Sequence, residues 1–301
     1  MSGLEPEVFA AERDRLFGLA YRLTGSVADA DDVVQETWIR SERADGIDNP
    51  AAWLTTVASR LALDRLRSAQ RRRETYVGPW LAEPILTDRD PAHLVELDES
   101  VRLGFLAVLE RLGPVERAVF LLRDVFDLPY AEIAEIVERN EAAVRQTAHR
   151  ARSRVRAERP RFDPAGPREH QLLEAFLVAA ASGSVEDLQK LLAEDVVLLS
   201  DGGPRHRAAR QPVVGPSRLA RFLVNLTKRL RAGSTVEIVE ANGEPAVVVR
   251  TGDTPVLLLE VEFDGPLVRR IHSVVNPDKL ASVATALGAV PGGPGSGPAP
   301  A

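Results

Sequence analysis

The chain of 301 residues is long enough for two or three domains, and its 45% hydrophobic content supports packed cores in place of disorder. A formal net charge of −6 argues against non-specific coating of nucleic acid, and the absence of cysteine excludes disulfides, zinc ribbons and thiol catalysis. No apolar run reaches about eighteen residues and no basic stretch precedes an apolar one near Met1, so the expectation is a cytoplasmic protein with no membrane partner.

Residues 5–76 read as helix after helix. Apolar residues recur at three- and four-residue intervals, first Leu16, Leu19, Ala20 and Leu23, then Val33, Val34, Thr37 and Trp38. Breaks fall at Gly25-Ser26, where the serine can cap the next helix, and between Asp45 and Pro50. A further helix runs from about Pro50 to Arg72. Residues 77–97 carry Pro79, Pro84 and Pro91 without helical periodicity and read as a linker. Residues 98–159 form a second helical unit, with a helix from Glu99 to Leu112 and another opened by Gly113-Pro114. Two short helices follow, Tyr130 to Val137 and Glu141 to Arg156. Their spacing is that of a helix-turn-helix, with Asn140 placed to cap the second.

Beyond Pro167 the pattern becomes α+β. Residues 168–290 begin with two amphipathic helices, Arg168 to Ser182 and Ser184 to Leu192. Five valine- and leucine-rich strands follow: Val196 to Ser200, Thr235 to Ala241, Ala246 to Arg250, Val256 to Phe263 and Leu267 to Val275. Turns are marked by Asn242-Gly243, Gly252-Asp253 and Asp264-Gly265, and a helix from Ser217 to Arg231 interrupts the strands. The Pro/Gly/Ser-rich residues 291–301 cannot pack a core and are expected to be disordered.

The acidic average conceals a pattern. Arginines cluster from Arg60 to Arg73 and from Arg145 to Arg161, while carboxylates gather from Asp29 to Glu36 and from Glu83 to Glu99. In the helix Glu141 to Arg156, the stripe Val144, Ala148, Ala151 and Val155 can pack inward. Arg145, Gln146, His149, Arg150 and Arg152 are then left outward to meet base edges or phosphates, unless the face is only solvated. The helix from Pro50 joins Trp53, Leu54, Val57 and Leu61 to a basic end, a combination suited to separated strands; Trp53 can also be a plain core residue. Helix capping accounts for Asp29 and Asp31. It does not account for Asp32, Gln35 and Glu36, which share one face and can address a basic partner.

The stretch YRLTGSVADADDVVQETWIR, followed by NPAAWLTTVASRLALDRLRSAQRRR, resembles region 2 of extracytoplasmic-function (ECF) sigma factors. LGPVERAVFLLRDVFDLPYAEIAEIVERNEAAVRQTAHRARSRV resembles their region 4. The resemblance implies two all-α sigma domains that bind core RNA polymerase and promoter DNA and direct transcription initiation. It implies that Asp32, Gln35 and Glu36 face polymerase and that Asn49, Trp53, Thr56 and Arg60 lie near the minus-ten element. The helix holding Arg145, Gln146, His149, Arg150 and Arg152 would read the minus-thirty-five element. The C-terminal part resembles the SnoaL-like (NTF2-like) α+β cone fold, found fused to one subgroup of these factors. Three strings match that subgroup: WLAEP at Trp80 to Pro84, DGGPR at Asp201 to Arg205, and NPDKL at Asn276 to Leu280. The middle string lacks the subgroup's third glycine and its lysine, while Arg205 retains the positive charge.

This resemblance implies regulation in cis. The expectation is that Asp201, Gly202, Gly203 and Asn276, Pro277, Asp278, Lys279 and Leu280 dock against the linker through Trp80 and Pro84. Physics alone favours a turn at DGG and a strand-to-helix cap at NPDKL. The competing reading is a SnoaL-like enzyme or small-molecule sensor fused to a helix-turn-helix regulator, with Asp201, His206 and His272 as acid–base candidates. No second titratable partner for either histidine is evident from spacing, so no catalysis, cofactor or metal is expected, and an unknown small-molecule ligand of the C-terminal domain remains a partner to test. An ordinary repressor would leave Val8 to Tyr76 without a role.

Overall fold

The computed structural model describes residues 4–73, 76–87, 99–158, 167–204, 208–230 and 232–288. The chain divides into two compact units, 1–83 with 91–164, and 84–90 with 165–301. The tail 291–301, Arg205 and His206 lie outside the described residues.

The first unit is all-α. Its elements are α1 (Pro6–Thr24), α2 (Val27–Glu42), α3 (Pro50–Arg73), α4 (Leu103–Leu109), α5 (Pro114–Asp124), α6 (Tyr130–Val137) and α7 (Glu141–Glu158). The periodic apolar residues of α1 bury Leu16, Leu19 and Leu23 against Val33 and Val34 of α2 and Leu54, Ala58 and Leu63 of α3. Gly25 ends α1 in a left-handed conformation, its N–H donating to the Tyr21 carbonyl at 2.7 Å. A Cβ there would sit 2.6 Å from the Trp80 ring, so both backbone and packing call for glycine. The Ser26 hydroxyl then accepts from the Asp29 N–H at 3.2 Å and starts α2.

The expected helix over Glu99 to Leu112 is instead a 3-10 turn at Glu99–Val101 followed by the shorter α4. Ser100 is held by a tertiary bond, its Oγ accepting from Arg22 Nε at 2.6 Å, and Arg102 adopts an extended ψ of 139°. A long-range contact overrides local propensity there. The helix-turn-helix forms as its spacing predicts. Glu138 makes the turn at φ 56°, and the Asn140 Oδ1 accepts from the Ala143 N–H at 2.8 Å to cap α7.

The second unit contains α8 (Pro167–Ser182), α9 (Val185–Lys190), β1 (Leu192–Asp201), β2 (Val213–Val214), α10 (Pro216–Lys228), β3 (Ser234–Ala241), β4 (Glu244–Thr251), β5 (Thr254–Asp264), β6 (Leu267–Val274) and α11 (Ala281–Ala286). The sheet order is β2-β1-β6-β5-β4-β3; β1 runs parallel to β6 and the other neighbours are antiparallel. Alternation along the strands sends Val247, Val249, Leu257, Leu259, Val261 and Ile271 into one core with Leu173 and Phe176 of α8 and Leu219 and Leu223 of α10. Asn242 and Gly243, both at positive φ, turn β3 into β4 as their dipeptide predicts. The two-residue β2 is too short to establish a period, while α11 starts directly after NPDKL, where a strand-to-helix cap places it.

Two features of this unit rest on register. The Asp201 carboxylate, fully buried at the end of β1, accepts from Lys279 Nζ at 2.7 Å and from the Gly203 N–H at 3.0 Å, while its backbone carbonyl accepts from the N–H groups of Val275 and Asn276. A buried carboxylate needs this density of partners, since removing one leaves an uncompensated charge. On the sheet face opposite the apolar core, β5 and β6 pair Glu260 with His272, and Glu262 follows Glu260 by two residues on the same face. His272 Nδ1 lies 3.4 Å from Glu262 Oε1 and 3.7 Å from Glu260 Oε1.

Burial pushes the His272 imidazole down to about 4; Glu262 opposes the shift and Arg270 adds to it. The folded chain therefore holds His272 neutral while an unfolded chain protonates it near its ordinary 6.5. This contribution to stability is complete above about pH 6.5 and is lost as pH falls from there toward about 4, on the order of 3 kcal/mol in all. Thermal melts across this window should show a shallower pH dependence for His272→Gln than for the unmodified chain; identical slopes would show that the imidazole does not carry the effect.

Candidate functional site

On α2, Asp32 and Gln35 are exposed and Glu36 is half-buried along one face. Asp32 and Asp29 both accept from Arg65 Nη1 of α3, at 3.0 and 3.2 Å, and Glu36 accepts from Arg40 Nε at 2.9 Å. Pairs this exposed are worth a few tenths to about 1 kcal/mol and exchange readily for an external basic partner. Asp29 is the inner of the two aspartates, consistent with its structural role beside the helix start.

On α3, Asn49, Trp53, Thr56 and Arg60 follow one another at helical spacing, and none of the four is buried. Trp53 is half-exposed while its neighbour Leu54 is buried, so the indole borders solvent and is not a core residue. Asn49 also caps the helix, its Oδ1 accepting from the Ala52 N–H at 3.2 Å, a second role that the sequence reading missed. Arg60 Nη2 donates to the Glu135 carbonyl of α6 at 2.9 Å.

On α7, Val144, Ala148, Ala151 and Val155 are buried as the stripe predicts, and Arg145, Gln146, His149 and Arg150 are exposed. Arg145 pairs with Glu141 and lies over the Tyr130 ring, 4.9 Å from its centroid, an arrangement that orients the guanidinium. Arg152 is different. Its Nε donates to Asp124 Oδ1 of α5 at 2.7 Å, and that carboxylate holds its pKa above the ordinary value. The structure thus brings four of the five named side chains of α7 to the outward face and turns Arg152 back onto α5.

The WLAEP string divides between the two units. In the helical unit the Trp80 ring covers Gly25 and carries the Arg73 guanidinium 3.4 Å from its centroid. Glu83 caps α2: its Oε2 accepts from the Val27 N–H at 2.7 Å and its Oε1 from Ser26 Oγ at 2.9 Å, while the Tyr21 hydroxyl donates to its carbonyl at 2.6 Å. In the C-terminal unit the Pro84 carbonyl accepts from Ser282 Oγ at 3.1 Å. Leu86 bridges antiparallel to Ala241, the Thr87 N–H donates to the Glu240 carbonyl at 3.0 Å, and the Asn242 N–H donates to the Ile85 carbonyl at 2.8 Å. This isolated bridge lies at the outer edge of β3, a pairing that the linker reading did not foresee.

The other two strings close on each other. Besides the Lys279–Asp201 pair, a Cβ on Gly203, at φ 65°, would lie 2.8 Å from the Asn276 side chain, and Asn276 Oδ1 accepts from the Asp278 N–H at 3.2 Å. Asp201 is consequently engaged and not poised as a free acid or base. Glu260, Glu262 and His272 bring donor atoms within 4.8 Å of one another, a set whose chemistry a divalent cation could use. Strand pairing supplies the partners for His272 that spacing along the chain did not reveal. Among the described residues no helix is long and apolar enough to cross a membrane.

Two family models match in order: Sigma-70 region 2 over residues 8–72 and Sigma-70 region 4 over residues 102–155. The ECF RNA polymerase sigma factor SigJ of Mycobacterium tuberculosis is 39% identical over 293 residues, covering 92% of this chain and 93% of that protein. SigI of Mycobacterium tuberculosis is 33% identical over 285 residues, covering 92% and 95%. The crystal structure of Mycobacterium tuberculosis SigJ matches with a TM-score of 0.76 at 34% identity, over 92% of this chain and 99% of that one. The likeness therefore extends through both helical regions into the C-terminal helix-and-sheet domain. Taken with the order of α2, α3 and the helix-turn-helix, it places this chain in the family of extracytoplasmic-function sigma factors, promoter-specific initiators of transcription.

Proposed function

We propose that the chain divides the work of initiation among three exposed faces. Asp32, Gln35 and Glu36 on α2 meet a basic surface of core RNA polymerase, where steering and register come from charge complementarity. Asn49, Trp53, Thr56 and Arg60 on α3 hold the opened minus-ten strand, the indole offering a stacking face and the arginine a phosphate partner. Arg145, Gln146, His149 and Arg150 on α7 read the minus-thirty-five element in the major groove, with Arg152 contributing through its hold on α5. The observation that carries this reading is the exposure of the polar face of α7 on a capped helix-turn-helix, downstream of a region 2 with its own half-exposed tryptophan.

The C-terminal domain acts in cis as a regulator in this reading. Its support is the split linker: Trp80 to Glu83 cap and cover α2, while residues 85–87 bridge to the edge of β3. A domain that holds one end of the linker between region 2 and region 4 can bias how far apart those regions move. The domain is a regulator and not an enzyme in this reading, Asp201 being paired with Lys279 and His272 being buried and neutral. A small-molecule ligand is the runner-up signal for this domain, and the site of action is the cytoplasm.

In vitro transcription with core polymerase tests the scheme. Charge reversal at Asp32 and Glu36 should weaken core binding without changing promoter preference; full retention of binding would remove the assigned role. Arg145→Ala or Gln146→Ala should relax choice at the upstream element by about 1–3 kcal/mol per lost base contact, measured across a promoter library, whereas a uniform loss across all sequences would point to phosphate contacts alone. Residues 1–160 should differ from the full chain in transcript yield at equal core occupancy, and equal yields would mean that the C-terminal domain does not regulate.

A further inference from the structure

On the side of the C-terminal sheet away from its apolar core, β5 and β6 gather three side chains that pairing of the backbone does not require. The strands run antiparallel, with Glu260 directly across from His272 and Glu262 across from Arg270. Residues two apart on a strand share a face, so both carboxylates and the imidazole lie on one side of this ribbon. A register irregularity between Glu262 and Phe263 adds a bulge beside them, a device that re-aims side chains locally.

Burial makes this grouping costly by itself. Glu260 is 1% exposed and His272 is fully buried. Neither ring nitrogen of His272 makes a hydrogen bond among the described residues, and a polar atom that leaves water without finding a partner destabilises a fold. His272 Nδ1 nevertheless faces two carboxylate oxygens, Glu262 Oε1 at 3.4 Å and Glu260 Oε1 at 3.7 Å. Charge-assisted hydrogen bonds close to about 2.7–2.9 Å, so an imidazolium–carboxylate pair does not account for these separations.

The separations fit a coordination polyhedron instead. Metal–nitrogen bonds of about 2.0–2.1 Å and metal–oxygen bonds of about 2.0–2.2 Å place neighbouring ligands of a tetrahedral ion roughly 3.3–3.5 Å apart. Nδ1 to Glu262 meets that edge and Nδ1 to Glu260 is slightly long, while all three donor atoms lie within 4.8 Å of one another. Rotation about the soft terminal torsion of either glutamate closes the remaining edge. The second oxygen of Glu262, Oε2, lies 4.0 Å from Arg270 Nη1, which holds the carboxylate with Oε1 toward the ring.

We propose that Glu260, Glu262 and His272 Nδ1 bind one divalent transition-metal ion of the zinc class, which ties β5 to β6 within the C-terminal domain. An imidazole with two carboxylates selects zinc or cobalt over magnesium and calcium, which favour oxygen ligands alone. A dication also balances two carboxylates whose burial is otherwise penalised. Three protein ligands leave a fourth position for water, and the partly exposed Glu262 and Arg270 mark the side by which an ion enters. Nε2 has no hydrogen bond among the described residues to fix the ring, and sites without that support bind about 10–100-fold more weakly. The loss of stability in acid that follows from His272 is that of the metal-free chain. Every ligand lies in the C-terminal domain, independent of the DNA and polymerase assignments.

The test uses the full, untagged chain stripped with EDTA. With no cysteine present, strong competing ligands are limited to histidine, of which the chain has five. Calorimetric titration with zinc chloride should show one equivalent bound, and cobalt(II) chloride should give the visible absorption of a four-coordinate ion. Zinc at about 100 times its dissociation constant should raise the melting temperature by about 5 °C or more. Glu262→Gln, at the more exposed end of the site, should weaken zinc binding at least about tenfold and remove the four-coordinate cobalt spectrum. Glu262→Asp, which keeps the charge on a shorter arm, decides the matter by the same readouts if Glu262→Gln fails to melt cooperatively. His170→Gln, which removes an exposed imidazole on α8, should change neither. A stripped chain that melts cooperatively yet binds no stoichiometric zinc, or an affinity that survives substitution of Glu262 and falls with His170→Gln, would overturn the proposal.

Discussion

The C-terminal end of α1 is the constraint on which the helical unit depends. A helix ends with carbonyls that have no partner within the helix, and burying such an end demands donors from elsewhere. Here the Arg22 carbonyl takes Arg117, the Thr24 carbonyl takes Arg73, and the left-handed Gly25 turns the chain so that Ser26 can start α2 at once. Trp80 covers the glycine and Glu83 caps the following helix. A single turn of backbone thereby gathers side chains from α3, α5 and the linker, which explains why regions far apart in the chain fold as one unit.

That arrangement also explains how an acidic protein can be built to bind DNA. The net charge of −6 is an average over surfaces with different tasks. Several arginines of the basic clusters are committed to structure: Arg65 to Asp29 and Asp32, Arg73 to Glu110, Arg152 to Asp124. Those left outward on α7 are few and oriented, which suits reading a site over coating a duplex. An acidic body repels the phosphate backbone, which disfavours non-specific coating of a duplex.

In the C-terminal domain, polar groups are placed where the register of the sheet allows them to be satisfied. Asp201 and Lys279 lie 78 residues apart in sequence and meet at the end of β1, with Gly203 allowing the Asn276 side chain to pack against the backbone. Glu260, Glu262 and His272 share one face because β5 and β6 pair in that register and in no other. The burial of His272 makes this face sensitive to acid. Residues 85–87 bridge to part of the outer edge of β3, an edge that would otherwise offer open hydrogen-bonding groups.

Much of this protein was legible in the chain alone. The periods of α1, α2 and α7, the caps at Ser26 and Asn140, the Asn242-Gly243 turn and the strand alternation are local signals, written within a few residues of where they act. The family resemblance was legible for the same reason, since its motifs are contiguous. What the tertiary structure decided was every interaction between distant segments: the break before α4 made by the hold of Arg22 on Ser100, the turning of Arg152 onto Asp124, and the burial of Arg117 within an otherwise apolar run. The division of WLAEP between the two units and the partners of His272 belong to the same class. A charged residue carries the same letter whether its partner is water or a buried carbonyl, and only the folded path of the chain determines which of the two it meets.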